Sequence, residues 1–348
     1  MENLLLRKKT SMEKEIHQQP LILSKILKSF LTDNNEIKLD VPENIKKIVL
    51  VASGSSYHCA RYGADLFGQV ADMEARAIYS SEFLLKPKVP SDDGLLYIFI
   101  TQSGETSDTL RAAKRAKQLN MPIMCITNKE YSSIWEISDY KVDCHAGEEK
   151  SIAATKSFTA QMLCVYLLTL KFAQKHGVDV SERLKIVRTL PDVVEETFEF
   201  RKKVVQLAKL LKRKKNIVIT ADGISYALAK EASLKIKETS YLNINANILG
   251  EFMHGHVAVL NNSCSLIYIS ASGVSYTAMK NLTKIKNDYN PPIYIIGRSH
   301  ENIVPNLNIT IDNDDATMRM FSNAVIIQML ALEMALLLGR NVDKPKGL

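Results

Sequence analysis

The sequence predicts an α/β fold in which parallel sheets are flanked by helices. The first observation is the apolar run Lys47-Ile-Val-Leu-Val-Ala52, which is typical of a strand covered on both faces. A Gly/Ser turn follows it, and apolar and small residues then recur at helical spacing from Tyr57 to about Asp72. The same design appears again where Tyr97-Ile-Phe-Ile100 leads into a polar turn and a helical stretch. Strands that alternate with helices in this way predict a parallel sheet.

The first half of the chain contains five predicted strands. Residues 1 to about 36 are predicted to be helical, with a break at Pro20. Strands are predicted at 47–52, 75–79, 95–101, 122–127 and 140–143, with helices between them. A long helix from 155 to about 175 closes this half.

The second half repeats the pattern. Residues 181–210 are predicted to be a helical connection, followed by strands at 216–220, 265–270, 292–296 and near 308–311, and by helices at 226–241 and 318–338. An internal duplication of about 150 residues fits this order. We therefore divide the chain into an N-terminal helical segment (1–38), a first domain (39–178), a helical connection (179–212), a second domain (213–340) and a tail (341–348).

Composition favours a cytoplasmic globular protein. The sequence is 46% hydrophobic and 24% charged, which is enough apolar material for a large core, and no stretch is expected to span a membrane. The N-terminus has too short an apolar run for a signal peptide. The five cysteines form no CxxC pair, so we expect them to be reduced and buried. The net charge of +7 comes partly from local runs such as Lys212-Arg-Lys-Lys-Lys215, and no nucleic-acid-binding signature accompanies it.

Two polar turns predict a phosphate site. Unpaired amides at a helix start attract anions, and Ser55 and Ser56 add hydroxyl donors beside the first strand. The turn Thr101-Gln-Ser-Gly-Glu-Thr106 follows the strand that is predicted next to it. Two such turns at adjacent strand ends are suited to one phosphate. The alternative is that these hydroxyls only cap helices, although a capping hydroxyl can also face an anion.

Three charged residues share one helix face. Glu231, Lys235 and Glu238 are spaced i, i+4 and i+7. This spacing suits a carboxylate base with a cationic neighbour, and it equally suits a solvated ladder of salt bridges. No HxH, HxxE or clustered carboxylate motif is present, so we expect neither a metal nor an organic cofactor.

Several motifs resemble those of a known family, in the same order along the chain. They are Met12-Glu-Lys-Glu-Ile-His-Gln-Gln-Pro20, Thr101–Thr106 with Ser107-Asp-Thr109, Ala153-Ala-Thr-Lys-Ser-Phe158, Glu231-Ala-Ser-Leu-Lys-Ile-Lys-Glu238, Gly250-Glu-Phe-Met-His-Gly255 and Asn341-Val-Asp-Lys-Pro345. The chain resembles the tandem sugar isomerase (SIS) domain family, in particular the isomerase half of the glucosamine-6-phosphate synthases and the stand-alone SIS glucosamine-6-phosphate deaminases. The resemblance implies two SIS domains, each a flavodoxin-like three-layer sandwich.

The resemblance also implies site residues and a partner. Glu238 matches the proton-shuttling glutamate, while Glu231 and Lys235 match charged neighbours that position the sugar and tune the carboxylate. His254 matches a histidine implicated in ring opening that reaches the active site of the other subunit of a homodimer. A histidine beside apolar residues also suits a structural role. The phosphate and hydroxyl contacts match Ser55, Ser56, Thr101, Gln102, Ser103 and Thr106. Backbone groups of Ile152 and Ala153 and the side chain of Glu149 match contacts to the sugar.

The chain departs from the synthases in three ways. The sequence includes no stretch that resembles the glutaminase domain, so we expect none, and it is expected to lack the tail lysine because Leu348 comes before that position. It also has Ala154 where the synthases have a serine. The expected reaction is therefore the conversion of glucosamine 6-phosphate to fructose 6-phosphate and ammonia through an enolamine or enediol. The alternatives are a fructosamine-phosphate deglycase, another phosphosugar isomerase, or a non-catalytic regulator that binds a phosphosugar.

Overall fold

Two compact units make up the protein. The computed structural model describes residues 9–214 and 216–347. One unit, the first-sheet unit, comprises Leu21–Gly147 and Ser157–Pro191. The other, the second-sheet unit, comprises the described residues up to Pro20, then Glu148–Lys156, and the described residues from Asp192 onward. The first eight residues of the predicted N-terminal segment, the last lysine of the run 212–215 and the predicted end at Leu348 lie outside the described residues.

The first-sheet unit contains a parallel five-stranded sheet. Its strands are β1 (Lys47–Ala52), β2 (Glu74–Tyr79), β3 (Leu95–Thr101), β4 (Ile123–Thr127) and β5 (Tyr140–Asp143), in the order β2-β1-β3-β4-β5. The helices in the first half of the chain are α1 (Ser11–His17), α2 (Gln19–Phe30), α3 (Gly54–Ala71), α4 (Ser80–Leu85), α5 (Ser107–Gln118), α6 (Ser133–Ile137) and α7 (Lys156–Lys175). The sheet confirms the predicted parallel arrangement.

The central strands are apolar because helices cover both faces of the sheet. Every residue of β3 is buried, and Val51 of β1 lies opposite its partner Phe99 in the parallel register. One core of this unit joins these strands to Ala112 and Ala116 of α5. Small residues on that helix let it approach the sheet closely.

The second sheet repeats the strand order of the first. Its strands are β6 (Ile217–Ala221), β7 (Ile244–Ile248), β8 (Ser265–Ser270), β9 (Ile293–Gly297) and β10 (Leu307–Ile309), all parallel, in the order β10-β9-β8-β6-β7. The helices in this half of the chain are α8 (Ser181–Val187), α9 (Leu190–Thr197), α10 (Arg201–Leu211), α11 (Ser225–Ser240), α12 (Leu249–Phe252), α13 (Tyr276–Tyr289) and α14 (Ala316–Leu337). In the first sheet β1 lies between β2 and β3, and in the second sheet β6 lies between β7 and β8. In each half of the chain, therefore, the first strand lies between the second and the third.

Helix α14 is the core helix of the second-sheet unit. It is long and apolar enough to cross a membrane by length and composition alone, with a mean hydropathy of 1.7 in its most apolar window. However, 89% of that window is buried inside the protein, and α14 packs against α10 and α11. Burial against other helices accounts for its apolar composition.

The structure differs from the sequence predictions in four elements. The predicted helix up to residue 36 is too long, because α2 ends at Phe30 and Leu31 pairs with Ile37 in an isolated antiparallel bridge. Asn35, which has a φ of 62°, turns the chain between them. Strand β7 and helices α12 and α13 were not predicted from the sequence.

Candidate functional site

The polar turn after β1 lies at the topological switch point of the first sheet. The chain leaves β1 toward β2 on one side, whereas β3 lies on the other side of β1. Ligands of open parallel sheets bind at such a point, outside the carboxyl ends of the strands. The turn after β1 opens α3 at Gly54, and the turn after β3 opens α5 at Ser107. Of the predicted phosphate residues, Ser55 and Ser56 lie in the first turn of α3, Thr101 is the last residue of β3, and Gln102, Ser103 and Thr106 lie in the turn that follows β3.

The hydroxyl groups of Thr101, Ser103 and Thr106 form local hydrogen bonds. The Oγ1 atoms of Thr101 and Thr106 are 3.0 Å apart, and Ser103 Oγ accepts a hydrogen bond of 3.1 Å from the amide of Glu105. Over the described part of the chain, neither Ser53 nor Thr106 accepts an amide hydrogen bond as the N-cap of its helix. The amides that open α3 and α5 are therefore suited to an anion.

Gly104 and Glu105 fix the shape of the second turn. Gly104 has a φ of 70°, and a Cβ atom there would lie 2.0 Å from Ser132 Oγ. The carboxylate of Glu105 accepts a 2.7 Å hydrogen bond from the amide of Ser133, and this bond lowers the pKa of Glu105. The turn thus packs against the N-terminus of α6.

A buried charge cluster lies on α11 in the second-sheet unit. Lys235 Nζ is 2.6 Å from Glu238 Oε2 and 3.6 Å from Glu231 Oε1. The side chains of Lys235 and Glu231 are 1% exposed and that of Glu238 is 20% exposed, so the cluster is not a solvated ladder. Of the two carboxylates, only that of Glu238 is open enough to meet a substrate.

Lys235 is a charged ammonium at neutral pH. Burial acts to lower its pKa, but the carboxylates of Glu231 and Glu238 outweigh burial and the pKa is raised, with a further contribution from Glu149. A buried cation between carboxylates holds their charges in place. Glu238 is therefore presented as a carboxylate with a fixed direction.

The segment Glu148–Lys156 brings Glu149 into the electrostatic environment of Lys235. Glu149 accepts hydrogen bonds from the amide and the hydroxyl of Thr155, at 2.9 and 3.1 Å, where α7 begins. Ile152 is 46% exposed. Ala153 is buried and its carbonyl accepts a 3.1 Å hydrogen bond from Ser151 Oγ. The predicted contact between the Ala153 backbone and the sugar stays a prediction.

His254 lies in an exposed turn after α12. Its amide donates a 2.9 Å hydrogen bond to the carbonyl of Glu251. Among the described residues, no hydrogen bond or ion pair joins its ring to the α11 cluster. The exposure of His254 leaves it accessible, and its predicted role stays a prediction.

The sequence analysis assigned no role to Glu15, which the structure places beside the segment Glu148–Lys156. Its carboxyl oxygens accept hydrogen bonds from the amides of Lys150 and Ser151. A sequence signal was present, because Met12, Glu15, Ile16 and Gln19 share one helical face. A glutamate among these residues indicates a buried carboxyl group with specific partners. Across residues 9–214 and 216–347, no three His, Cys, Asp or Glu side chains are grouped to hold a metal ion.

Comparison with known proteins gives the family. The SIS domain profile matches residues 43–171 and 210–338. The glutamine–fructose-6-phosphate aminotransferase (isomerizing) of Thermococcus kodakarensis is 33% identical over 345 residues, covering 97% of this chain and 57% of the relative. The same enzyme of Campylobacter jejuni is 30% identical over 342 residues, with the same coverage. The chain thus spans a little over half the length of the curated relatives that it matches.

Solved structures agree with this fold. The C-terminal domain of glucosamine-fructose-6-phosphate aminotransferase from Francisella tularensis superposes with a TM-score of 0.90 at 25% identity, over 97% of this chain and 98% of that domain. Glucosamine-6-phosphate deaminase from Thermotoga maritima gives a TM-score of 0.77 at 23% identity, over 97% of this chain and 98% of that one. The second likeness concerns the fold alone.

Proposed function

The chain belongs to the SIS domain family, and we propose that it transfers a proton between adjacent carbons of a hexosamine 6-phosphate. The proposed conversion is glucosamine 6-phosphate plus water to fructose 6-phosphate plus ammonia. The observation that carries the proposal is the carboxylate of Glu238, held 2.6 Å from the buried ammonium of Lys235 and partly open to solvent. A fixed carboxylate is the group that a 1,2-proton transfer needs.

Glu238 is assigned as the base. It takes the proton from C2 of the ring-opened sugar, which gives an enolamine, and returns a proton to C1. The product is a C2 imine, and water adds to it and expels ammonia, so the atoms balance without an external oxidant. Lys235 and Glu231 are assigned to fix and tune the carboxylate, because Lys235 is ion-paired to both glutamates.

The turns of the first sheet are assigned to the phosphoryl group. Uncapped amides at the starts of α3 and α5, together with the hydroxyls of Ser55, Ser56, Ser103 and Thr106, support this assignment. Thr101 positions Thr106 through their mutual hydrogen bond, and Gln102 directly follows Thr101 at the carboxyl end of β3. Ile152, Ala153 and Glu149 are assigned to the sugar.

His254 is assigned to ring opening, and its exposure supports a role that is completed by a second copy of the chain. A homodimer in the cytoplasm is the expected assembly. Neither a metal ion nor an organic cofactor enters the proposed reaction, because side chains alone move the protons.

The test is a direct assay of the purified protein with glucosamine 6-phosphate, in which ammonia and fructose 6-phosphate are followed together. We expect both products in equal amounts. Consumption of glucosamine 6-phosphate without release of ammonia would contradict the deamination step. If the protein gives neither product while glucosamine 6-phosphate still raises the melting temperature, the catalytic assignment is wrong and the alternative of a binding regulator is favoured.

A further inference from the structure

Glu15 holds the segment Glu148–Lys156 from the side of α1. Its side chain is 3% exposed. One carboxyl oxygen accepts from the amide of Lys150, both oxygens lie 3.2–3.3 Å from the amide of Ser151, and Oε2 also accepts from the Ser151 hydroxyl. Three neighbouring donors thus converge on one buried carboxyl group. Such an arrangement needs two acceptor oxygens, which among the side chains only a carboxylate provides.

The other end of the segment is held by a chain of amide side chains. Gln328 of α14 donates a 3.1 Å hydrogen bond to the carbonyl of Thr155. Gln19 donates a 2.8 Å hydrogen bond to Gln328 Oε1. Glu149 bonds to Thr155 as described above. The segment is therefore fixed at both ends while Ile152, between them, stays exposed.

Helix α1 is itself held in place by contacts with other elements, so the position of Glu15 is fixed. Asp343, in the tail, accepts hydrogen bonds from the amides of Ser11 and Met12 at 2.8 and 3.0 Å. Glu13, which lies two residues before Glu15, forms a 2.8 Å ion pair with Arg201 of α10. These contacts, at the start of α1 and along one side of it, fix the helix relative to the segment Glu148–Lys156 that Glu15 contacts.

We propose that Glu15 is a positioning residue, which orients the segment Glu148–Lys156 so that Glu149 faces Lys235 and the Ile152 backbone faces the sugar. This inference rests on the proposed function, because it assigns Glu15 to the sugar subsite of that function. Glu15 touches neither the sugar nor the proton in transit. It acts through the amides of Lys150 and Ser151, so its loss changes the geometry of the subsite and not its chemistry.

A purely structural interpretation predicts a different result, and the chain contains a matched control. Glu13 and Glu15 lie on the same short helix and are equally buried, at 3% exposure, but Glu13 contacts Arg201 whereas Glu15 contacts the segment. Glu13→Ala and Glu15→Ala each remove one buried carboxyl group from α1. Ser151→Ala is the second variant, on the segment side. It removes the hydroxyl, which contacts Glu15 and the Ala153 carbonyl, and keeps the two amide hydrogen bonds to Glu15.

The experiment combines two measurements on the full chain. The first is hydrogen exchange of the amides of Lys150 and Ser151 in the ligand-free protein, which we expect to be at least about tenfold faster in Glu15→Ala and unchanged in Glu13→Ala. The second is the kinetics with glucosamine 6-phosphate. Here Glu15→Ala is expected to raise KM by about tenfold with a smaller fall in kcat, and Glu15→Gln, which keeps one acceptor oxygen, to recover part of the loss.

Equal exchange rates in Glu15→Ala and Glu13→Ala would overturn the proposal, as would equal KM values. If Glu15→Ala fails to fold, Ser151→Ala and Glu15→Gln decide the matter by the same two measurements. A wild-type protein that does not turn over glucosamine 6-phosphate refutes the proposed function instead. Because the exchange is measured without ligand, that result is separate from whether Glu15 holds the segment.

Discussion

The two sheets share one plan, but their turns and helices carry different chemistry. Both have the same strand order, and the turn after the first strand reads Gly54-Ser-Ser-Tyr57 in one and Gly223-Ile-Ser-Tyr226 in the other. The turn after the third strand contains Gly104 in one and Gly273 in the other, at the same interval from the first glycine. The duplication that the sequence suggested faintly is therefore clear in the matched elements.

The difference lies in the helix after the first strand. When the two Gly-x-Ser-Tyr motifs are superposed, Glu231, Lys235 and Glu238 of α11 correspond to Tyr62, Leu66 and Gln69 of α3. Leu66 is buried in an apolar environment, whereas Lys235 is buried between carboxylates. At this equivalent position, the side chain of Leu66 contributes to apolar packing in the first half, whereas that of Lys235 forms ion pairs in the second half. The comparison teaches that the fold fixes where a side chain points, and the residue type decides what it does there.

The largest expected effect distinguishes Glu238 from Gln69. Glu238→Gln removes the proposed base but keeps the shape of the side chain, so we expect kcat to fall by about 10²–10⁴. Stabilisation by glucosamine 6-phosphate in a thermal-shift assay should persist. Gln69→Ala, at the corresponding exposed position of α3, is the control and should leave kcat unchanged. Full activity of Glu238→Gln would eliminate Glu238 as the base.

The next comparison sets Lys235 against Leu66. Lys235→Met leaves two carboxylates close to each other without their cation, which should lower the free energy of unfolding by about 3–5 kcal/mol. Leu66→Met conserves volume in an apolar site and should cost less than about 1.5 kcal/mol. Urea denaturation of both variants measures the difference in the free energy of unfolding. Similar losses in the two variants would show that the charge of Lys235 contributes no more to stability than the apolar packing of Leu66.

The pH dependence of Lys235→Met follows from the same cluster. In the native protein the raised pKa of Lys235 means that its stabilising contribution is present through neutral pH and is lost only as the pH rises through that pKa, above about 10.5. In the variant, protonation of a carboxyl removes the uncompensated charge. Its stability deficit should therefore be smaller near pH 5 than near pH 8, roughly across the range where carboxyls begin to protonate. A deficit that does not change with pH would contradict the ion-pair account.

The two turn glycines give a smaller contrast. Gly104 and Gly273 have φ values of 70° and 94°, so alanine is strained at either position. At Gly104 the new Cβ also meets Ser132, whereas at Gly273 its nearest neighbour is Arg298 Cδ at 3.9 Å. We expect Gly273→Ala to cost about 1–2 kcal/mol and Gly104→Ala about 2–4 kcal/mol in thermal unfolding. Equal losses of stability in the two variants would show that Ser132 and α6 move to accommodate the new methyl group at little cost in free energy.

The smallest expected effects concern the helix caps. Ser275 accepts a 3.1 Å hydrogen bond from the amide of Ala278 as the N-cap of α13, so Ser275→Ala should cost about 1 kcal/mol of stability and leave affinity for phosphosugars unchanged. Thr106, at the corresponding position, bonds to Thr101 instead. Thr106→Val should weaken glucosamine 6-phosphate binding by about tenfold with little loss of stability, measured by calorimetric titration. Unchanged binding would remove Thr106 from the phosphate assignment.

The sequence was informative where periodicity and burial agree. The run 47–52 and the run 95–101 predicted β1 and β3 with their observed bounds, because central strands of a parallel sheet are apolar on both faces. Strand β7 was missed because Asn245 and Asn247 disfavour a strand by propensity, and its place at the edge of the sheet demands fewer apolar residues. Pairing with β6 forms it, and that pairing is not visible along the chain.

The candidate site shows the same limit. The i, i+4, i+7 spacing correctly placed Glu231, Lys235 and Glu238 on one face, but burial of the face, which separates a site from a solvated ladder, depends on the packing of α11 against α14. The role of Glu15 was harder to predict from the sequence, because its partners Lys150 and Ser151 lie far along the chain. Contacts of this kind come from tertiary structure alone.

The division of the chain between the two units has a consequence for the order of folding during synthesis. Every residue of the first-sheet unit has been made once Pro191 has been added, whereas the second-sheet unit combines α1 and the segment Glu148–Lys156 with residues from Asp192 onward. During translation, α1 must therefore wait for α14 and for Asp343, which caps it. Since domains fold as their residues become available, the first-sheet unit is expected to fold on the ribosome, while the contacts around Glu15 are completed only after Asp343 has been added.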